Sequence, residues 1–211
     1  MSLSDFALNT TLIAQAFVTV LVIMDPLGNI PVFLTLTRGE SMESRQRSAL
    51  QAVAVAAGVI LVFALFGQQI LEMLGISLEA LQVAGGLLLV LIALELLHPG
   101  EEDAAATRGR GQNVALVPLG TPMLAGPGAI AATMLAMQRA GTIGGVVSVV
   151  LALLGALGVV YLTMRYSGVI GNLLKDNGIN LVSRVMGLLL AAIAVQLVAS
   201  GVAEWVQGGV A

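Results

Sequence analysis

The sequence predicts an all-α integral membrane protein with six transmembrane helices in two inverted three-helix repeats, in which helices 1 and 4 are broken near mid-membrane. The 211-residue chain is 58 % hydrophobic and 10 % charged, whereas soluble domains contain roughly 25 % charged residues. Several apolar runs reach the roughly 20 residues that a helix needs to cross a bilayer. Two proline- and glycine-containing motifs interrupt such runs, one in each half of the chain.

The first apolar unit covers about Phe6 to Thr37 and is interrupted at Asp25 to Pro31. Each proline removes one helical hydrogen bond and clashes with the preceding turn, so this segment predicts a break in the helix. Irregular backbone occurs at membrane depth only where it is buried in protein or lines a wet cavity, because lipid cannot satisfy the freed polar groups. The break is therefore a candidate binding site.

Five further apolar runs predict five more membrane crossings. They cover about Ser48 to Phe66, Ser77 to Leu97, Asn113 to Met137, Ile143 to Met164 and Leu181 to Val206. Gln68, Gln69 and Glu72 predict a short polar junction between the second and third helices. The fourth run contains a second break at Gly120 to Gly128, so two of the six predicted helices are discontinuous.

The most hydrophilic stretch, residues 98–112, predicts a linker loop between a first repeat of residues 1–97 and a second repeat of residues 113–211. With six crossings, eight of the nine Lys and Arg residues fall on one side of the membrane and only Arg139 on the other. Basic residues are enriched in cytoplasmic loops. We therefore expect a multi-pass protein with a cytoplasmic linker and both termini outside the cytoplasm.

The two halves of the sequence resemble each other. Pro26-x4-Pro31 matches Pro122-x4-Pro127, and the segment from Gly86 to Leu97 shares seven identities in twelve with the segment from Gly187 to Val198. Because each half contains three helices, an odd number, the second half must enter the membrane from the opposite face. Inverted repeats with broken helices at matching positions are typical of secondary transporters, which bind substrate near the midplane.

At three motifs the sequence resembles the MarC family of bacterial and archaeal inner-membrane proteins. The motifs lie at Met24 to Phe33, Leu124 to Ile130 and Arg184 to Gln196, and the resemblance spans essentially the whole chain. Some members of the family, called SnatA, are described as small neutral amino acid transporters linked to the proton gradient. The resemblance implies transport of glycine, alanine or serine across the cell inner membrane, with the amino acid, protons and the lipid bilayer as partners and no nucleic acid.

The two breaks have the chemistry to bind a zwitterion. Helices starting near Pro31 and Gly128 would offer N–H groups to an anion, and helices ending near Met24 and Thr121 would offer carbonyls to a cation. Three glycines allow the backbone to approach a small ligand and to adopt positive φ, namely Gly28, Gly126 and Gly128. We therefore expect a small substrate.

The candidate substrate-binding residues lie in the two breaks and on the last helix: Asp25, Pro26, Gly28, Asn29, Ile30, Pro31, Thr121, Ala125, Gly126, Pro127, Gly128 and Gln196. Asp25 is the sharpest candidate, because inserting an ionisable group at membrane depth costs about 2.5 to 3.5 kcal/mol. It either carries the coupling proton, pairs with the substrate ammonium, or caps a helix beginning near Pro26. Asn29 either forms a hydrogen bond with the substrate or forms one with the backbone groups that the break leaves without partners.

Thr121 and Gln196 each have a structural alternative. Thr121 either bonds back to its own helix or contacts substrate, and Gln196 either bonds a neighbouring helix or contacts substrate. The paired glycines Gly85 and Gly86 predict close helix packing, which is a scaffold role.

Other classes of function have weaker support in the sequence. The chain has no cysteine, one histidine, and no recurrent metal-ligand spacing, so we expect no metal, no cofactor and no enzymatic activity. An exporter or channel for another small solute or drug, and a non-transporting membrane scaffold, remain alternatives. The sequence leaves the oligomeric state open.

Overall fold

The computed structural model describes residues 8–97 and 124–208, and every regular element within these ranges is an α-helix. The helices are α1 (Thr10–Met24), α2 (Asn29–Leu36), α3 (Met42–Leu74), α4 (Leu78–Leu97), α5 (Pro127–Ala140), α6 (Ile143–Arg165) and α7 (Ser167–Gly208). The predicted linker of residues 98–112 and Thr121 lie outside the described residues.

Up to five segments of the described chain can cross a membrane. Four helical segments are long and apolar enough to do so alone: Met42–Leu74, Leu78–Leu97, Ile143–Arg165 and Gly178–Gln207. Helices α1 and α2 meet the same criterion as a pair that is bent by 50°. The chain is therefore an integral membrane protein. The predicted fourth crossing includes residues 113–123, outside the described ranges, and α5 is its described part.

Helix α3 is longer than the hydropathy predicts. It begins after Ser41, whose Oγ accepts a hydrogen bond from the Ser44 N–H at 3.2 Å, and it ends at Gly75 in the left-handed conformation, with φ 67°. The predicted polar junction is wrong, because three of its residues are helical: Gln68, Gln69 and Glu72. A hydropathy pattern indicates which residues of a helix lie in lipid, but it does not indicate where the helix ends. The helix continues until its last backbone groups are capped.

Helix α7 also exceeds its predicted bounds, and it packs antiparallel against α4. A Cβ built on Gly86 of α4 would lie 2.9 Å from the Ala194 carbonyl oxygen and 2.7 Å from Val198 Cγ2. A Cβ on Gly187 of α7 would lie 3.2 Å from the Ala93 carbonyl oxygen. Glycine therefore allows the two backbones to approach closely, as predicted for Gly86.

The α4–α7 contact has an internal symmetry. Gly86 faces Ala194 and Val198, while Gly187 faces Ala93 and Leu97. Each residue of the first contact has its counterpart in the second at a constant separation of 101 positions: Gly86 with Gly187, Ala93 with Ala194, and Leu97 with Val198. The segments that match in sequence are thus the segments that pack together, and each makes the same contact with the other.

Helix α4 also positions the start of α5. A Cβ on Gly85 would lie 3.0 Å from Ala131 Cβ and 3.2 Å from the Pro127 carbonyl oxygen. The adjacent glycines Gly85 and Gly86 therefore face α5 and α7 respectively, which confirms the predicted scaffold role. Helix α5 additionally packs against α1, α3 and α6.

Replacing Gly86 with alanine is expected to destabilise the protein by about 1 to 3 kcal/mol, because the added methyl group would force Val198 and the Ala194 backbone apart. The measurement is the thermal unfolding midpoint in detergent. The matched control is Gly58→Ala in α3, where a Cβ meets nothing within 4 Å and alanine gains up to about 1 kcal/mol in helix propensity. An equal fall in the unfolding midpoint of Gly86→Ala and Gly58→Ala would contradict the close α4–α7 contact.

Candidate functional site

The first break turns at Asp25. Helix α1 ends at Met24, and Asp25 adopts the left-handed conformation with φ 39° and ψ 67°, its N–H donating to the carbonyls of Leu21 and Val22, both at 3.1 Å. Within the described ranges it is the one non-glycine residue with positive φ. Aspartate and asparagine occupy this conformation more readily than other non-glycine residues do. The change in chain direction is therefore centred on the candidate carboxylate.

Helix α2 begins at Asn29, between the two predicted helix starts. The sequence predicts helices that begin near Pro26 and near Pro31, but Pro26 lies in the turn and Pro31 is the third residue of α2. Proline is compatible with the first turn of a helix, since the N–H that it lacks would have no partner within the helix. Pro31 thus allows a short helix to start two residues before it, while Pro26 lies in the turn formed by residues 25–28.

The Asp25 carboxylate is buried inside the turn. The residue is 7 % exposed, and its Oδ1 accepts a hydrogen bond from the Gly28 N–H at 3.1 Å. No residue in the described part of the chain donates a hydrogen bond to Oδ2. One carboxylate oxygen therefore caps the turn that leads into α2, while the other has no protein donor there. The capping and ligand-binding roles of Asp25 are compatible.

Gly28 provides the space in which this carboxylate lies. A Cβ at Gly28 would overlap Asp25 Oδ2 and lie 2.8 Å from Asp25 Cγ. Its backbone is right-handed, with φ −64° and ψ −26°, so the predicted positive φ is wrong for this glycine. It is also wrong for Gly126, with φ −68°, and for Gly128, which is helical. A Cβ at Gly128 would overlap Leu89, so Gly28 and Gly128 serve close packing.

The turn satisfies its own backbone groups. Asn29 Nδ2 donates to the Met24 carbonyl oxygen at 2.7 Å, so the Asn29 side chain satisfies a backbone carbonyl at the end of α1. The Asn29 N–H donates to the Asp25 carbonyl oxygen at 3.1 Å, and the Ile30 N–H to that of Leu27 at 3.2 Å. The expectation of free N–H groups at the start of α2, and of a free carbonyl at Met24, is therefore wrong, because so short a break folds into a self-bonded turn.

The remaining candidates differ in burial. Pro26 is buried and Ile30 is fully buried beside the turn, whereas Pro31 is exposed. Gln196 is also exposed and bonds within its own helix, with Nε2 donating to Ser200 Oγ at 3.2 Å. The predicted bond from Gln196 to a neighbouring helix is not formed, because Ala194 and Leu197 form the buried face of α7, and the predicted contact with substrate stays a prediction.

The described part of the predicted second break, residues 124–128, offers backbone donors. Leu124 and Ala125 are buried, Gly126 is the extended N-cap of α5 without a side-chain hydrogen bond, and Pro127 is the first helical residue. Since proline lacks an N–H, the first donors at this end are those of Gly128 and the following residue. Leu124 and Ala125 belong to the same cluster of buried residues as Met24. The two breaks thus contribute to one core.

Sequence reasoning missed several fully buried polar side chains, among them Gln82 in α4 and Thr133 in α5. Each is 0 % exposed, and the Gln82 amide atoms and Thr133 Oγ1 have no hydrogen-bond partner among the residues described. The available signal was a single glutamine within the otherwise apolar part of α4. In the same ranges, no three His, Cys, Asp or Glu side chains come together as a metal site would require.

Comparisons with known proteins agree along nearly the whole chain. A family model described as MarC family integral membrane protein matches residues 10–206. UPF0056 membrane protein MJ1677 of Methanocaldococcus jannaschii is 42 % identical over 193 residues, covering 89 % of this chain and 94 % of that protein. UPF0056 inner membrane protein YhgN of Escherichia coli K12 is 32 % identical over 196 residues, covering 93 % and 98 % respectively. No solved structure matches the chain.

Proposed function

The chain belongs to the MarC family of integral membrane proteins, and from this premise we propose that it is a secondary transporter coupled to the proton gradient. Its proposed substrates are small neutral amino acids of the glycine, alanine and serine type. The observation that carries the proposal is the buried Asp25 carboxylate at the bend between α1 and α2, with one oxygen on the Gly28 N–H. Ionisable groups and broken helices at membrane depth mark substrate and proton pathways.

The proposed binding mode uses both breaks. The substrate ammonium pairs with Asp25 Oδ2, the oxygen without a donor in the described chain, and the substrate carboxylate accepts from the Gly128 N–H at the uncapped start of α5. Ile30 and Phe33, both 0 % exposed, restrict the space beside the turn and favour a small substrate side chain. Proton binding at Asp25 would then compete with the ammonium, so the carrier would exchange the amino acid for a proton and the two fluxes would run in opposite directions.

The proposed architecture is the six-helix inverted repeat predicted from the sequence. Its support is the doubled α4–α7 contact, because a two-fold axis in the membrane plane would relate Gly86 to Gly187 and repeat their surroundings. The proposed location is the inner membrane, and the proposed orientation places both termini outside the cytoplasm. It is supported by the arginines Arg45 and Arg47 at the start of α3, which is the end of that helix expected to face the cytoplasm.

Purified protein in liposomes is expected to take up radiolabelled glycine and L-alanine saturably, and to prefer L-alanine over D-alanine. With the membrane potential clamped and an outward gradient of about one pH unit, so that the interior is the more acidic side, exchange for one proton supports about tenfold accumulation. Protein-free liposomes are the control. Unsaturated conductance without stereoselectivity would indicate a channel, and absence of uptake of glycine, alanine and serine would overturn the proposed substrate class.

A further inference from the structure

The side chain of Leu89 in α4 packs directly against the start of α5. A Cβ built on Gly128, the second residue of α5, would overlap Leu89 Cγ and lie 2.5 Å from Cδ2 and 2.7 Å from Cδ1. One turn earlier on α4, a Cβ on Gly85 would lie 3.5 Å from Gly128 Cα. The isobutyl group of Leu89 therefore fills the space that a side chain at position 128 would otherwise occupy.

Leu89 is buried where the two breaks come together. It is 2 % exposed, and it belongs to the same cluster of buried residues as Met24, at the end of α1, and Leu124 and Ala125, before α5. Leu89 itself lies in neither break, because it is in the middle of α4. A residue of a third helix thus takes part in the core to which both breaks contribute.

Leu89 also borders the proposed position of the substrate. In the binding mode proposed above, the substrate carboxylate accepts the Gly128 N–H, which places a carboxylate oxygen about 2.9 Å from the Gly128 nitrogen. The substrate Cα is two bonds beyond that oxygen, and the substrate side chain begins there. Since Leu89 packs on the Gly128 Cα, one bond from the donor nitrogen, its methyl groups lie beside the space that the substrate side chain enters.

We propose that Leu89 sets the upper size limit of the substrate side chain. The inference rests on the proposed transport function and names a residue of α4 that determines specificity in the same site. The small side chains of glycine, alanine and serine fit beside the Leu89 methyl groups, whereas the isopropyl group of valine collides with them. A single methylene in an apolar pocket changes discrimination by about 10- to 200-fold, so one leucine is enough to separate these substrates.

Replacing Leu89 with alanine removes Cγ and both methyl groups, which together form an isopropyl group, the side chain of valine. The ratio of kcat/KM for L-valine to kcat/KM for L-alanine is expected to rise about tenfold. The measurement is the competitive uptake of the two labelled amino acids into the same liposomes, with the interior as the more acidic side. Because both amino acids meet the same protein, the ratio is independent of the fraction of protein that is folded.

The matched control is Leu71→Ala, which removes the same group from a leucine that is 5 % exposed. Leu71 lines a cavity together with Gln138, which lies ten residues after Gly128, roughly 15 Å along α5. This variant is expected to lower the unfolding midpoint and keep the wild-type ratio. Adding Gly128→Ala to Leu89→Ala fills part of the new space with a methyl group, so the ratio is expected to return toward the wild-type value.

Leu89→Val removes one methylene and serves as the test if Leu89→Ala does not fold, with a smaller shift expected in the same direction. An unchanged ratio in the Leu89 variants, with uptake of alanine by the wild type intact, would overturn the role of Leu89 and leave the transport function standing. An equal shift in Leu71→Ala would also overturn it, because any loosening of the core would then relax selectivity. Failure of the wild type to take up glycine, alanine or serine would overturn the transport function, and the role of Leu89 with it.

Discussion

Replacing Asp25 with asparagine is expected to abolish the proton-driven accumulation of glycine and alanine while leaving the protein folded. Asparagine tolerates the left-handed conformation that residue 25 adopts at φ 39°, and its Oδ1 can still accept the Gly28 N–H. The substitution therefore removes the charge and the titrating proton with little change in the turn. Under a gradient of about one pH unit, the expected accumulation falls from about tenfold to simple equilibration, measured as radiolabelled uptake into liposomes.

Exchange of internal for external glycine without a gradient separates the two roles proposed for the carboxylate. Exchange that continues in Asp25→Asn would assign Asp25 to the proton alone, while its loss would assign the carboxylate to the substrate ammonium as well. Glu95→Gln is the control, because it removes an exposed carboxylate of α4. Gradient-driven accumulation at the wild-type level in Asp25→Asn would contradict proton coupling through Asp25. The role of Asp25 would then be limited to capping the turn through its bond to the Gly28 N–H.

The break itself could be predicted from the sequence, but its internal geometry could not. Two prolines five positions apart inside an apolar run indicate that one straight helix cannot continue. They do not determine which residue turns, because a proline at the third position of α2 is as compatible with the sequence as one at its start. The Asp25 carboxylate accepts the Gly28 N–H three residues further along the chain, but aspartate makes local bonds of this kind in several types of turn, so the sequence does not select the left-handed one.

The face that each helix buries was only partly predictable. The glycines Gly86 and Gly187 indicated close packing, and they do meet the opposite helix. Gln196 was predicted to face the bundle from its polarity alone, yet it lies on the exposed face of α7, as its repeat counterpart Glu95 does on α4. A polar side chain needs a hydrogen-bond partner, and Ser200 on the same helix provides one for Gln196. The packing partner of the helix decides which face is buried.

The cavity of about 380 Å³ where α3, α4 and α5 meet could not be found from the sequence, because it depends on which helices are neighbours. Gln68 and Glu72 were interpreted as a junction between helices, since no pattern connects the end of α3 to α5. In the structure, a Cβ on Gly67 of α3 would lie 2.7 Å from Met134 Sδ of α5. This close approach brings residues about 65 positions apart in the sequence to the same cavity. Long-range neighbours of this kind require the fold.

Replacing Gly28 with alanine is expected to reduce transport at least as strongly as it reduces stability. The added methyl group would occupy the position of Asp25 Oδ2, so the carboxylate must rotate away or the turn must open. Overpacking of this kind costs about 1 to 3 kcal/mol, and a loss of about 1.4 kcal/mol at the transport step corresponds to a tenfold slower rate. The measurements are the initial rate of glycine uptake and the unfolding midpoint of the same preparation.

Gly158→Ala provides the matched control, because Gly158 of α6 is exposed and a Cβ there meets nothing within 4 Å. The decisive comparison is between the two glycine variants. If Gly28 acts by leaving room for the carboxylate, Gly28→Ala will slow proton-driven glycine uptake about tenfold, while Gly158→Ala will leave the uptake rate unchanged. Uptake at the wild-type rate in Gly28→Ala would show that transport does not require the Asp25 carboxylate to occupy the space beside Gly28. The position of this carboxylate would then no longer support proton coupling at this turn.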